Sequence, residues 1–407
     1  MRFFYALAIS AARCVVPLVA RSTKAKAFVQ GRKDVWKKLE SIPKDAKVVW
    51  MHCASLGEYE QGLPVLQGLK ASNPDYFYLV TFFSPSGYEV RNAHGVADLT
   101  TYLPWDTKKE VQRFISRVNP KMGLFVKYEF WPNMIAELHN ASVPLYLIAG
   151  QFRPQQVFFK PWGSSYLKLL KGFKHLFVQN EQSLALLHHI GINHASISGD
   201  TRYDRVGASK APLPFMEKFV GNRKCIVVGS TWPEDEAVLF DAIEQTPNDW
   251  CWLIAPHEIN EEKIKILMAK LPQGSLRYTQ TNESERIDCQ VLVLDTVGML
   301  SRCYAYGSIA YVGGGMGTSG LHNILEPASE GIPVIIGENY EKYPEAKALV
   351  NLGSVVSISA ADDCKKQLTE LMQNDALRAE KGKQSAAFVT QNQGATEKTL
   401  LLLNQVL

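Results

Sequence analysis

Short, almost wholly apolar runs alternate with helix-length segments from residue 47 onwards, and that rhythm predicts an α/β fold before any single residue is weighed. KVVWMHC (Lys47 to Cys53) reads as a strand, YEQGLPVLQGLKAS after it as a helix, and YFYLVTFFS (Tyr76 to Ser84) as the next strand. MGLFVKY (Met122 to Tyr128), VPLYLIAG (Val143 to Gly150) and HLFVQN (His175 to Asn180) continue the series. These runs do not alternate apolar with polar, so both faces of the sheet are covered, as in a doubly wound parallel sheet. RVGASKAPLPF, between Asp204 and Met216, interrupts the pattern and reads as an interdomain linker. A second series then begins: KCIVVGS (Lys224 to Ser230), WCWLIAP (Trp250 to Pro256), QVLVLD (Gln290 to Asp295), SIAYVGGG (Ser308 to Gly315) and PVIIG (Pro333 to Gly337). Two Rossmann-like domains in tandem are predicted, over 39–207 and 208–390. Residues 391–407, ending ATEKTLLLLNQVL, form a last amphipathic helix expected to cross back and brace the first domain.

Residues 1–38 break the rhythm. Phe3 to Ala20 is apolar apart from Arg13 and a few small polar residues, and Arg21, Lys24, Lys26, Arg32, Lys33, Lys37 and Lys38 follow it. An apolar stretch ending in positive charge, rather than in a small-residue cleavage site, predicts a membrane-associated helix whose basic flank faces an anionic cytoplasmic leaflet. The stretch is near the lower limit of about 17 residues for a bilayer crossing, and Arg13 opposes a true span. A shallow helix in the interface, a span, and a helix packed on the protein's own body are three readings open at this point.

The composition fits a two-domain soluble body: 407 residues, 46% hydrophobic and 21% charged. A formal net charge of +4 gives no reason to invoke a nucleic-acid partner. Seven cysteines (Cys14, Cys53, Cys225, Cys251, Cys289, Cys303, Cys364) are scattered without a C-x-x-C pair. They read as small core residues in a reducing compartment, not as a disulfide framework or a structural zinc site.

Two stretches carry chemistry. In YVGGGMGTSGLHNILEP, Gly315, Gly317 and Gly320 match G-x-G-x-x-G, the dinucleotide pattern, yet they follow the fourth predicted strand of their domain instead of the first. Asn323 and Glu326 come three residues apart and are expected to share a helix face near its N-terminus. Glycines that let backbone approach a phosphate, beside a carboxylate that accepts from sugar hydroxyls, suit a nucleotide-sugar. A glycine-rich turn with an ordinary capping asparagine is the structural alternative. In HCASLGEYE, Ser55, Gly57 and Glu58 stand at the first βα turn, the end of an open sheet where ligands bind. Glu58 is there either a cleft carboxylate or a residue that stabilises the following helix's N-terminus.

With those motifs stand GRK (Gly31 to Lys33), SPSGYE (Ser84 to Glu89), YLPWD (Tyr102 to Asp106), EFWPN (Glu129 to Asn133) and QNE (Gln179 to Glu181). GSTW (Gly229 to Trp232), PHE (Pro256 to Glu258), DTVGML (Asp295 to Leu300) and QNQGA (Gln391 to Ala395) complete an ordered set over nearly the whole chain. The chain thereby resembles the 3-deoxy-D-manno-octulosonic acid (Kdo) transferases of lipopolysaccharide synthesis. The resemblance implies a GT-B fold, two Rossmann-like domains with parallel sheets facing a central cleft. It further implies inverting transfer of Kdo from CMP-Kdo to a lipid A precursor at the cytoplasmic face of the bacterial inner membrane. The family's essential glutamate falls on Glu58, as general base on the acceptor hydroxyl. Donor contacts fall on Ser230, Thr231, His257, Gly315, Gly317, Asn323 and Glu326, with Ser55, Gly57 and Glu129 supporting the acceptor. No cofactor or metal is implied. Lys127, Pro256 and Met299 depart from the family's pattern, and the missing arginine before His257 leaves Arg153, Arg202 or Lys342 as phosphate clamps. The alternatives are another GT-B transferase or epimerase using a UDP-sugar, a catalytically silent membrane-anchored nucleotide-binding protein, and an NAD-dependent oxidoreductase.

Overall fold

The computed structural model describes residues 2–19, 22–85, 87–88, 95–207, 211–282 and 285–407. Arg21 of the basic flank, Ser86 and Glu89 of SPSGYE, and residues 208–210 of the linker lie outside the described residues. The chain divides into two compact units, Met1–Arg205 with Asn392–Leu407, and Val206–Gln391.

The first unit holds a seven-stranded parallel sheet built from β1 (Val48–Cys53), β2 (Phe77–Phe82), β3 (Leu99–Tyr102), β4 (Pro120–Val126), β5 (Leu145–Gly150), β6 (His175–Val178) and β7 (Ala195–Ile197). Their spatial order is β3-β2-β1-β4-β5-β6-β7. The chain runs outward from β1 to β3, then returns to lay β4 on the other side of β1. Alternate residues of β1 feed two cores: Val48 and Trp50 join one face, Val49, Met51 and Cys53 the other. That two-sided burial is why the strand reads as one unbroken apolar run.

The second unit repeats the plan with β8 (Lys224–Thr231), β9 (Trp250–Pro256), β10 (Leu276–Arg277), β11 (Val291–Val293), β12 (Ile309–Val312), β13 (Val334–Gly337) and β14 (Val355–Ile358), in the order β10-β11-β9-β8-β12-β13-β14. Every recorded pairing in both sheets is parallel. Each sheet has two more strands than its apolar runs announce. The additions, β3, β7, β10 and β14, are the four sheet edges. With β10 counted, the glycine loop follows the fifth strand of its unit, and β12 lies directly beside β8.

The helix Leu56–Ser72 lies against the last helix of the chain, Ala395–Leu403. Leu403 enters the first unit's core, the Tyr76 hydroxyl donates to the Leu407 carbonyl at 2.7 Å, and a side chain at Gly68 would collide with Leu400. Both Asp204 carboxylate oxygens accept backbone N–H groups, from Gly394 and Thr396, each at 2.6 Å, fixing this helix's start.

The N-terminal helix, Arg2–Val19, is tied to the first unit by polar contacts: the Tyr5 hydroxyl donates to buried Asp106 at 2.8 Å, and Arg13 pairs with Glu110 at 2.8 Å. Among the described residues no helix is long and apolar enough to cross a membrane. Arg32, expected in an outward-facing basic flank, is turned inward between the rings of Phe28 and Phe83 and donates to the Phe83 carbonyl. The six described cysteine side chains are all free and buried.

Candidate active site

Each sheet has one point where the strand order reverses, between β1 and β4 in the first unit and between β8 and β12 in the second. Adjacent strands there send their C-terminal loops in opposite directions and leave a crevice, the usual ligand position in an open parallel sheet. The candidate residues collect at those two points. Strained backbone marks the same places: Lys127 just after β4, Ala149 near the end of β5 and Ser230 within β8 all have positive φ, of 64°, 52° and 56°. Non-glycine residues held in that region cost on the order of 1–3 kcal/mol and concentrate at functional sites.

At the first point, Ser55 caps the helix Leu56–Ser72 and Glu58 occupies its first turn. The Glu58 carboxylate reaches back to accept the backbone N–H of Ala54, with the Ser55 N–H as a further partner. It is thus the helix-capping acid that the sequence allowed. Its environment adds something more. Burial, and then the neighbouring Glu129, push its pKa up to about 7, against the opposing pull of the two N–H groups and Lys127. A carboxylate poised near neutrality both accepts and releases a proton readily. A Cβ at neighbouring Gly57 would meet nothing nearer than the Ser55 hydroxyl at 4.0 Å, so the capping turn is uncrowded at that position.

Beneath lies a network that sequence reasoning missed. His52, fully buried on β1, brings Nδ1 to 3.0 Å from the Thr81 carbonyl and Nε2 to 2.9 Å from Glu129 Oε2. Nδ1 also lies 2.9 Å from the Thr81 hydroxyl, so it either donates to the carbonyl or accepts from the hydroxyl, and in the second case Nε2–H donates to the Glu129 carboxylate. Trp131 Nε1 donates to the same Glu129 oxygen at 2.6 Å, and Trp50 Nε1 donates to Thr81 at 2.8 Å. Glu129, expected to help place an acceptor, is therefore 6% exposed and engaged internally. The histidine two residues before the ASLGE run was the available signal. Asp106 of YLPWD is a second internal anchor: it accepts from Tyr5 and from the backbone N–H groups of Asn133 and Met134, opening the helix Pro132–Asn140.

At the second point, β8 ends at Ser230 and Thr231, and the helix Pro233–Glu244 follows. Ser230 is half-buried; Thr231 is buried and donates its hydroxyl to Glu236 at 3.0 Å. This helix's N-terminus already carries Glu234, Asp235 and Glu236, so its dipole is satisfied from within. Fully buried Asp235 is the hub of the region: it accepts from the backbone N–H of Trp232 (2.9 Å), Gly314 (2.7 Å) and Met316 (3.3 Å), and from the Tyr311 hydroxyl (3.0 Å). The glycine loop is thus held in shape by an acid with no motif of its own. Part of its glycine demand is packing: a Cβ on Gly315 would lie 2.9 Å from the Gly337 nitrogen, and one on Gly317 would lie 3.2 Å from the Glu234 carboxyl carbon.

Asn323 was expected on a helix face and is not: the helix spans only Leu325–Ser329, and exposed Asn323 precedes it. Its Oδ1 accepts the Leu325 N–H at 3.2 Å and its Nδ2 donates to Glu326 at 3.3 Å, so the pair meets across the cap. Exposed His257, after β9, stacks on Trp232 with ring centroids 4.6 Å apart, and His322 lies 4.5 Å from His257. Burial, and then His257, lower the His322 pKa to about 4, so it is neutral at pH 7. Trp232 Nε1 donates to His322 Nε2 at 3.3 Å, which leaves the His322 hydrogen on Nδ1. Trp232 and His322 went unassigned in the sequence although both lie inside quoted motifs. Of the proposed phosphate clamps, Arg202 is engaged with Asp200 through Nε (3.0 Å) and Nη2 (2.7 Å), whereas Arg153 and Lys342 are exposed. Among the described residues no group of three or more His, Cys, Asp or Glu side chains is arranged to hold a metal ion.

Two parallel seven-stranded sheets, each with ligand-type loops at its reversal point, make a GT-B-like architecture. Solved structures agree on that fold: UDP-GlcNAc 2-epimerase from Neisseria meningitidis bound to UDP-GlcNAc (TM-score 0.61, 15% identity, 88% of this chain and 100% of that one) and Acinetobacter baumannii MurG (TM-score 0.54, 10% identity, 88% and 99%). The family model described as 3-deoxy-D-manno-octulosonic-acid transferase (kdotransferase) matches residues 29–205. Proteins named 3-deoxy-D-manno-octulosonic acid transferase align well beyond that segment. That of Bordetella pertussis is 26% identical over 87% of this chain and 86% of its own length, and that of Rickettsia felis 25% over 88% and 79%. Residues 29–205 thus match a Kdo transferase family domain, the chain as a whole is similar to proteins named Kdo transferases, and the protein is a glycosyltransferase.

Proposed function

We propose that this protein transfers Kdo from CMP-Kdo to a sugar hydroxyl of a lipid A precursor, with inversion, at the cytoplasmic face of the inner membrane. Glu58 is the general base. One observation carries that assignment: a half-buried carboxylate whose pKa is raised to about 7 stands at the first sheet's reversal point, next to a glycine in an uncrowded turn. A base near neutrality is matched to removing an alcohol proton as the oxygen attacks an anomeric carbon. The His52–Glu129 pair serves as a positioning unit that holds in place the carboxylate acting on Glu58.

The second unit holds the donor. Ser230, the loop Gly315 to Gly320 and the Asn323–Glu326 pair supply backbone and side-chain partners for a phosphate and for hydroxyls, and His257 offers a stacking face already lined up with Trp232. In this reading no metal takes part, because hydrogen-bond donors neutralise the leaving phosphate. The basic residues around 24–38 support a membrane-surface location by attraction to anionic lipid.

The test is transfer of labelled Kdo, from CMP-Kdo generated in situ, to a tetraacylated lipid A precursor, comparing wild type with Glu58→Gln. Glutamine keeps the reach to the helix cap but not the basicity. Wild-type product, with a loss of about two orders of magnitude or more in the variant, supports the reading. Full activity in the variant places the base elsewhere.

A further inference from the structure

We infer that the segment around Trp162 is a docking surface for an anionic phospholipid bilayer, with the Trp162 ring seated at the lipid interface. The inference rests on the membrane-surface reading above but names a surface remote in sequence from the N-terminal helix. Of the eight tryptophans, Trp162 is the exposed one, at 69%; the others are buried or half-buried. It is not a loose tip. Phe158 is buried against Phe130 and Phe152, with ring centroids 4.8 and 6.1 Å away, and the Gly163 N–H closes the turn onto the Lys160 carbonyl at 2.8 Å. A side chain at Gly163 would strike the Val157 carbonyl oxygen, so the turn has one packed shape and presents Trp162 outward.

Charge identifies the partner. Between Glu137 and Glu181 the chain has no acidic residue, while Arg153, Lys160, Lys168, Lys171 and Lys174 all fall there. Two of them, Lys168 and Lys171, line a groove of about 290 Å³ with His139, over the apolar side chains of Ile135 and Leu169. Trp162 precedes the helix Ser164–Leu170, and Lys168 and Lys171 of the groove stand at that helix's other end. An amphipathic ring and a cationic, apolar-floored groove on one short segment complement the headgroup layer of an anionic bilayer, where tryptophan and lysine are both favoured.

The experiment uses the full chain and phosphatidylglycerol-containing vesicles, with phosphatidylcholine vesicles as the neutral control. Vesicles brominated near the top of the acyl chains should quench much of the exposed tryptophan emission of the wild type, and Trp162→Phe, still bound, should lose most of that quenching. Replacing Lys160, Lys168 and Lys171 together by glutamine should weaken vesicle binding roughly a hundredfold, at about fivefold per lysine near an anionic surface. Unchanged quenching in Trp162→Phe, or unchanged binding in the triple variant, overturns the proposal. Equal binding to neutral vesicles also overturns it. Transfer to a detergent-dispersed acceptor, run on wild type, separates the two readings: inactive protein that still shows Trp162-dependent quenching keeps the docking surface and loses the proposed reaction.

Discussion

The two reversal points share a topology and differ in almost everything placed on it. In the first unit the strand ends carry ionisable groups in a poorly solvated setting: Glu58 raised to about 7, with the His52–Glu129 pair directly below. In the second unit the acids are consumed internally, Asp235 by the glycine loop and Glu236 by Thr231. What remains there is backbone, the Asn323 amide with its partner Glu326, exposed Glu234, and the Trp232, His257 and His322 rings. One sheet thus offers a carboxylate with a raised pKa and the other a hydrogen-bonding cradle. A parallel sheet fixes where chemistry is placed; the residues after each strand decide whether that place handles protons or holds phosphates.

The comparison breaks most sharply at Glu58. Glu58→Gln should lower transfer by about two orders of magnitude or more while leaving CMP protection of the second unit intact in thermal melts. Loss of CMP protection would show that the two regions do not divide the work. Next comes Asp235→Ala, which removes one side chain from four donors in the buried hub; roughly 2–4 kcal/mol of stability should go, with CMP protection, as read by urea denaturation with and without nucleotide. A stable variant that still binds CMP would reduce Asp235 to an ordinary cap.

Proton linkage supplies a third test. The wild-type kcat/KM should fall about tenfold per pH unit below pH 7 as Glu58 protonates, and a profile flat to pH 5 would remove the base assignment. Stability has a definite sign. The folded pKa lies above the unfolded value, so the folded state binds more protons in between, and stability is lost as pH rises from about 4.5 to about 7. Glu58→Gln should therefore be more stable than wild type at pH 8, by about 1–2 kcal/mol after allowing for partial solvation, and no more stable at pH 4. The smallest expected effect is at Gly57. An added methyl meets nothing closer than the Ser55 hydroxyl at 4.0 Å, so Gly57→Ala should fold with an unchanged melting temperature, and any rise in acceptor KM would locate the acceptor in front of Glu58.

The central strands were legible because each is buried on both faces and therefore apolar without interruption. The edges were not: LTTY, ASI, LR and VVSI are short, and an edge needs no long apolar run. Missing β10 also misplaced the glycine loop in the count of strands, although its neighbour β8 is the strand a phosphate loop should sit beside. Glu58 stood out through its position at the first βα turn, but its raised pKa comes from burial in the folded unit and then from Glu129, seventy-one residues away in sequence. Asp235 was invisible for a related reason. A first-turn aspartate looks like a helix cap, and only the return of β12 to the side of β8 brings Gly314 and Met316 onto it.

The last helix has a consequence for the order of events during synthesis. Leu403 belongs to the first unit's core, and Asp204 waits for the N–H groups of Gly394 and Thr396. Nearly two hundred residues of the second unit emerge from the ribosome between Arg205 and the segment that completes what precedes it. The unit translated first is accordingly completed only after the second has emerged, and the face of Leu56–Ser72 that Ala395–Leu403 covers stays uncovered until then.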